Sequence, residues 1–357
     1  MPRPRELRCL IAAGGTAGHV APALAVADAL RSRGVAVSFA GSPDRVEARL
    51  VPEAGYEFDS FRISGLPRRP GVALARALLV AGRAPRACGK ILAARRPDIV
   101  LGGGGYVAGP MVFAAAQRRL PVALMEADAH LGLANRLSAP FARRVFLSFP
   151  ISGRVGPKYV VTGRPIPAGS RPVERAEARR RFDLSAEGPV VLVFGGSQGA
   201  QTLNELALDA WVERGPAVLH LCGDRHWAEL ASRVSRPDYK LLPFTNEFGA
   251  ALGAADLVVA RAGGSIWEIA AAERPAVVVP FPHATADHQN ANARYFDGGV
   301  EVVADADAAR VVPVLVEELL GDPERMRRMA AEMGARARPD AAEEVAEGVL
   351  ALVAAGG

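Results

Sequence analysis

Lysine is nearly missing from this 357-residue chain: of 43 basic residues only Lys90, Lys158 and Lys240 are lysine. Such arginine dominance reads as genome composition or a thermophilic host rather than as function. Cysteine is equally scarce, with Cys9, Cys88 and Cys222 alone and no CxxC spacing, which excludes a disulfide framework and fits a reducing cytoplasm. No basic, apolar and small-residue layout of a signal peptide opens the sequence. No apolar run approaches the ~20 residues of a membrane-spanning helix, because Arg, Pro or Gly interrupts each one, so the chain is not expected to cross a bilayer. Two nucleotide signatures are absent as well. No glycine turn has the G-x-G-x-x-G spacing with an acidic residue about 20 positions on, and none is followed by Lys-Ser or Lys-Thr. Hydride transfer and triphosphate hydrolysis therefore lose their best support.

What is present is a globular composition, half hydrophobic and 23% charged, at a length that suits two domains better than one. The charge is unevenly spread. Residues 1–160 carry 23 Lys and Arg against 10 Asp and Glu, whereas 161–357 carry 20 against 28. The first half is thus expected to meet something anionic: nucleic acid, a phosphorylated substrate or an acidic membrane surface.

Both halves open alike. Leu7–Ala13 reads as a strand running into Gly14-Gly15-Thr16-Ala17-Gly18-His19, then a helix with Pro22 near its start and Gly34 at its end, then the strand 35–40. Pro189–Phe194 reads as a second buried strand, followed by Gly195-Gly196-Ser197-Gln198-Gly199-Ala200 and a helix from Thr202 to Trp211. Further parallel-type runs lie at 99–101, 122–125, 145–147, 218–221, 257–260 and 276–279, with helical segments between. This alternation predicts two doubly wound α/β domains. The Pro- and Gly-rich stretch Thr162–Gly169 is the expected hinge, and a last helix over 341–354 either closes the second domain or packs back on the first.

Three glycine clusters follow strands: Gly14–Gly18, Gly102–Gly105 before Tyr106, and Gly195–Gly199. Glycines let a backbone approach a ligand closely, and the next helix offers unpaired N–H groups with about half a positive charge, which suits phosphate. A sugar nucleotide or another diphosphate fits them; tight turns without a ligand are the alternative. His19, behind the first turn, is expected to contact ligand or take a proton, against a capping or solvated role. Glu126 and Asp128 end a buried-type strand where doubly wound folds bind ligands, against a role as helix caps. Glu268 lies one turn into a helix after Arg261-Ala262-Gly263-Gly264, within reach of a ribose diol, against a structural salt bridge. Asp287–Asn292 is a dense polar stretch whose amides suit sugar hydroxyls. No metal site is expected: no cluster has zinc spacing, and Asp305-Ala306-Asp307 reads as a loop or helix start.

Residues 66–97 include Arg68, Arg69, Arg76, Arg83, Arg86, Lys90, Arg95 and Arg96, no acidic residue before Pro97, and apolar Leu74, Leu78, Leu79 and Val80. This reads first as a membrane-surface patch, second as a solvated helix face, and last as a nucleic-acid site, for which interleaved aromatics are missing.

Taken in order, Gly14–His19, Gly103-Gly104-Gly105-Tyr106-Val107-Ala108-Gly109-Pro110, Gly195–Ala200 and Asp287-His288-Gln289-Asn290-Ala291-Asn292-Ala293 resemble the MurG family of N-acetylglucosaminyltransferases over nearly the whole chain. The resemblance implies a GT-B fold, two Rossmann-like domains facing a cleft: an acceptor and membrane-facing domain over 1–163, a donor domain over 164–340 and the last helix over 341–357. It implies inverting transfer from UDP-N-acetylglucosamine to the 4-hydroxyl of an undecaprenyl-diphosphate-linked muramoyl-pentapeptide, giving lipid II for peptidoglycan. No cofactor or metal is implied, nor nucleic acid. A peripheral place on the cytoplasmic face of the membrane, on anionic lipid and beside other cell-wall synthesis proteins, is implied.

By the same resemblance His19 is the expected base, with Asp128 and Glu126 as further catalytic carboxylates. Gly14, Gly15, Gly103, Gly104, Tyr106 and Asp128 fall to the acceptor. Thr16, Gly18, Arg164, Gly196, Ser197, Gln198, Phe244, Thr245, Glu268, His288 and Gln289 fall to the donor. Arg68, Arg69, Leu74, Arg76, Leu78, Leu79, Arg83 and Arg86 fall to the membrane surface. The chain departs from the family where many members read His-Glu-Gln-Asn and it has Met125-Glu126-Ala127-Asp128, and where Asn-Pro-Val-Arg is replaced by Arg164-Pro165-Ile166-Pro167. The alternatives are another enzyme on the same scaffold, such as a UDP-N-acetylglucosamine 2-epimerase or a transferase with a soluble acceptor, and a non-catalytic membrane scaffold.

Overall fold

The computed structural model describes residues 6–63, 72–196 and 198–355, and for 72–81 the backbone alone. The expectations for Arg68, Arg69 and Ser197, and for the side chains of Leu74, Arg76, Leu78 and Leu79, fall outside the described residues.

The apolar runs bounded by glycine become parallel strands because both faces of each are covered, so no polar face is needed and no alternation is seen. Together with two edge strands that carry no such run, β3 (Glu57–Ser60) and β7 (Tyr159–Val161), the first half builds β1 (Arg8–Ala13), β2 (Ala36–Gly41), β4 (Ile99–Gly104), β5 (Val122–Glu126) and β6 (Arg144–Leu147). They form one sheet in the order β3-β2-β1-β4-β5-β6-β7, parallel throughout. The second half builds β8 (Val190–Phe194), β9 (Ala217–Leu221), β10 (Tyr239–Leu242), β11 (Leu257–Ala260), β12 (Ala276–Val278) and β13 (Val300–Val302). Their order is β10-β9-β8-β11-β12-β13, again parallel. Each sheet reverses its winding beside its first strand, at β1/β4 and at β8/β11, where a doubly wound fold leaves a crevice at the carboxyl ends.

The chain divides into two compact units, one made of residues 1–167 with 339–357 and the other of 168–338. Arg164 to Pro167 thus stay with the first unit, a few residues beyond the expected boundary. The last helix, Ala341–Ala354, is part of the first unit, where Ala342, Val345, Ala346, Val349 and Leu352 share a core with Val20, Ala23, Val26, Ala27 and Leu30 of the helix Ala17–Ser32. Val345 and Val349 are wholly buried there, each stabilising the unit by roughly 1.5–3 kcal/mol relative to exposure.

One expected turn is a strand. Gly102, Gly103 and Gly104 continue β4, since a Cβ on Gly102 would come 2.6 Å from Leu124 and one on Gly103 2.7 Å from the Ala13 Cβ. The missing side chains of these two glycines admit the neighbouring strands. No helix among the described residues is long and apolar enough to cross a membrane.

Candidate functional site

In the first unit the sheet order places the ends of β1, β4 and β5 side by side. The helix Ala17–Ser32 starts directly after the first turn, with Thr16 as its N-cap residue, no side-chain cap and no acidic residue in its first turn. His19 N–H and Val20 N–H donate to Thr16 O, while the N–H groups of Ala17 and Gly18 have no side-chain cap. The His19 ring lies against Gly104, and its Nδ1 is 3.1 Å from Thr16 Oγ1. Burial pushes the His19 pKa down, the Asp128 carboxylate opposes that, and the Arg164 guanidinium adds to it. The net direction favours the neutral imidazole near pH 7.

Arg164, largely buried, donates from Nη2 to Gly18 O and from Nη1 to Ala127 O at 3.4 Å. It therefore stitches the turn after β1 to the loop after β5. Tyr106 lays its ring over Gly15, and its buried hydroxyl has no hydrogen-bond partner among the described residues. Thr16, Gly18 and Arg164, expected at the donor, belong with His19, Asp128 and Tyr106 in the first unit.

Glu126 takes a different place from the one expected. Its Oε1 accepts the N–H groups of Ala127 and Asp128 at 2.9 and 3.2 Å, and its Oε2 accepts Gly132 N–H and Asn135 Nδ2, both at 2.9 Å. Desolvation raises its pKa, partly offset by these donors. A buried carboxyl whose two oxygens are occupied by its own loop holds that loop, the structural role weighed against the catalytic one. Asn135 Nδ2 also donates to Met125 O at 2.9 Å, so this side chain, overlooked in the sequence, completes the clamp.

In the second unit the helix Gln201–Trp211 starts after the turn at Gly195–Gly199 without side-chain cap or acidic first turn, and Gly196 and Gln198 are exposed. Beneath it a buried chain runs from Cys222 O to Asn204 Nδ2 at 3.0 Å, from Asn204 Oδ1 to His220 Nε2 at 3.0 Å, and from His220 Nδ1 to Tyr239 hydroxyl at 2.8 Å. Burial holds the His220 pKa at about 3, so this link stays neutral. Phe244, 54% exposed, and Thr245 follow β10; the Thr245 hydroxyl accepts Glu247 N–H at 3.0 Å, shaping the backbone there. Half-buried Glu268 sits in the first turn of the helix Ile266–Ala271 after β11.

His288 and Gln289 begin the helix His288–Tyr295, preceded by Ala286 and Asp287 at φ 53° and 55°. Two successive non-glycine residues in the left-handed region store strain of the kind found at ligand sites. His288 Nδ1–H donates to Thr285 O at 2.8 Å, which sets Nε2 as the ring's acceptor, and Gln289 Oε1 accepts Phe281 N–H at 2.8 Å, which turns its NH₂ outward from that bond. Asn292, wholly buried, ties this helix to Ala262 O at 3.1 Å. Arg261 donates to Val279 O at 3.0 Å and pairs with Asp305, whose other oxygen takes the Thr202 hydroxyl. Asp305 is thus a counter-ion to Arg261. Asn292, read in the sequence as one of the amides for sugar hydroxyls, is thus taken by the backbone instead, and Arg261 and Asn135 went unread because their carbonyl partners lie outside any local pattern.

Residues 9–147 match the glycosyltransferase family 28 N-terminal domain, and 190–345 match the glycosyltransferase family 28 C-terminal domain. A relative from Acidithiobacillus ferrooxidans is 44% identical over 94% of this chain and 95% of its own length, and one from Halothermothrix orenii is 35% identical over 91% and 93%. Both carry the name UDP-N-acetylglucosamine–N-acetylmuramyl-(pentapeptide) pyrophosphoryl-undecaprenol N-acetylglucosamine transferase. The crystal structure of MurG from Acinetobacter baumannii is 28% identical, with a TM-score of 0.76 over 97% of this chain and all of that one. Two matched domains that together span most of the sequence, and near full-length likeness to these relatives, establish that the chain belongs to glycosyltransferase family 28 and within it to the MurG family.

Proposed function

We propose that the chain transfers N-acetylglucosamine from UDP-N-acetylglucosamine to the muramoyl 4-hydroxyl of an undecaprenyl-diphosphate-linked acceptor, completing lipid II. The observation that carries the reading is the near full-length identity to relatives named for that reaction. The acceptor oxygen attacks the anomeric carbon of the donor sugar from the face opposite the leaving group. The bond from that carbon to the β-phosphate oxygen breaks and UDP departs, so configuration inverts. The acceptor proton passes to His19 in the tautomer that the reaction requires, with Nδ1–H toward Thr16 Oγ1, 3.1 Å away, and the lone pair on Nε2. Support for the base role comes from the depressed His19 pKa.

The second unit is assigned the donor. The uncapped start of the helix Gln201–Trp211, with the amides around Gly196 and Gln198, faces the diphosphate with partial positive charge and needs no divalent ion. Backbone near Phe244 and Thr245 takes uracil, Glu268 the ribose diol, and His288 Nε2 and the Gln289 NH₂ the donor sugar. In the first unit the Tyr106 hydroxyl and the Ala17 and Gly18 amides face the acceptor.

The first unit is also assigned the membrane. Phe113 and Phe141 stack edge-on at 6.0 Å, Leu133 and Leu137 stand 59% and 66% exposed, and exposed Arg83, Arg86, Arg118, Arg119, Arg136 and Arg143 lie on the same and adjoining segments. An apolar cluster rimmed by guanidinium groups suits the cytoplasmic face of an anionic bilayer.

The test is release of UDP from UDP-N-acetylglucosamine with and without a lipid-linked muramoyl-pentapeptide, in EDTA. Release that requires the acceptor and survives the chelator is expected. Conversion of the donor without acceptor would favour an epimerase or hydrolase, and abolition by EDTA would overturn the metal-free assignment.

A further inference from the structure

Glu47 is a buried carboxyl that the reaction above leaves unused. It opens the helix Glu47–Glu53, has no exposed surface, and reaches under the turn that precedes His19. Its Oε2 accepts Gly15 N–H at 2.9 Å and its Oε1 accepts Ser42 N–H at 3.1 Å, bridging the ends of β1 and β2. Two glycines make room for it. A Cβ on Gly14 would overlap the carboxyl group, and one on Gly41 would lie 2.7 Å from the Glu47 Cγ. Among the described residues no Lys or Arg pairs with it, so backbone amides alone satisfy its oxygens.

The equivalent turn of the second unit differs. A Cβ on Gly196 would meet nothing within 4 Å, and no carboxylate among the described residues accepts from that turn. One glycine turn is open for an anion and the other already contains one. Amides converging at such a turn bind phosphate because they converge on a negative group; in the first unit the chain supplies that group itself.

We propose that Glu47 is the positioning residue of the acceptor side: a resident anion that grips the Gly15 amide, fixes the approach into Thr16 and His19, and keeps a pyrophosphate from settling at Gly14 and Gly15. The acceptor diphosphate is left with the amides farther along, at Ala17 and Gly18, and the UDP diphosphate is confined to the second unit. This departs from the expectation that Gly14 and Gly15 bind the acceptor, and it rests on the transferase reading given above.

The experiment compares the wild-type chain with Glu47→Gln and Glu47→Asp. Gln keeps the volume but turns an NH₂ toward one of the two amides; Asp keeps the charge but falls one methylene short. Both variants are expected to lose at least about tenfold in kcat/KM for the lipid-linked acceptor, because a buried donor is left unpaired under the base. UDP affinity, measured by calorimetry, is expected to stay within about twofold, and amide exchange at Gly15 to accelerate. Acceptor kcat/KM unchanged in both variants would overturn the proposal. So would an equal loss of UDP affinity, or failure of both variants to fold, since either makes Glu47 a general stability residue. If the wild type itself transfers no sugar, the transferase reading fails instead, and Gly15 exchange still decides whether Glu47 holds the turn.

Discussion

In the proposed reaction His19 is the base, and burial and two charged neighbours pull its pKa in opposite directions. Burial and the Arg164 charge lower its pKa from 6.5, while the Asp128 carboxylate raises it. A base must be neutral to act, so the acid limb of kcat/KM is expected below pH 6.5. Replacing Asp128 by Asn removes the group that stabilises the imidazolium, and the limb should then move to still lower pH; a pH–rate profile of Asp128→Asn that shifts upward would refute the coupling. The same substitution restores the amide that many family members carry at this place. Other residue-scale roles were not legible in advance. A carboxylate such as Glu126 looks identical in sequence whether it meets substrate or its own loop amides, and only the positions of Gly132 and Asn135 distinguish the two.

Among elements, every strand that the apolar runs predicted is present, and those they missed share one property. β3, β7, β10 and β13 are the edges of the two sheets. An edge strand has a neighbour on one side only and is short and partly exposed, so it needs no continuous apolar run and leaves no such signal. The last helix shows the converse, a segment clear in sequence whose docking place was open. Its Gly348 packs against β6, where a Cβ would come 2.5 Å from the Phe146 ring. Alanine favours a helix over glycine by about 1 kcal/mol, yet Gly348→Ala is expected to lower stability by roughly 1–3 kcal/mol through overpacking. A raised denaturant midpoint in that variant would show that the ring yields.

At the scale of the whole molecule, the chain leaves the first unit after Pro167 and re-enters it at Pro339. A chain ending at Arg338 therefore lacks part of the first core, not of the second. Such a truncation is expected to lose sugar transfer and to expose the first unit to protease, while calorimetry still detects UDP binding; loss of UDP binding with an intact first unit would contradict the division. The repeated opening of strand, glycine turn and helix, and the absence of both dehydrogenase and P-loop spacing, were enough to read two doubly wound halves and a diphosphate substrate. They suffice because burial on both faces of a parallel strand and the approach of backbone at a glycine are local demands, written in neighbouring residues. The positions of Glu47, Asn135, Arg164, Asn292 and the last helix were decided by tertiary structure alone. Gly15 and Glu47 are 32 residues apart, and Gly18 and Arg164 are 146 apart, so their pairing depends on the order in which strands join the sheet, a long-range choice that no local pattern records.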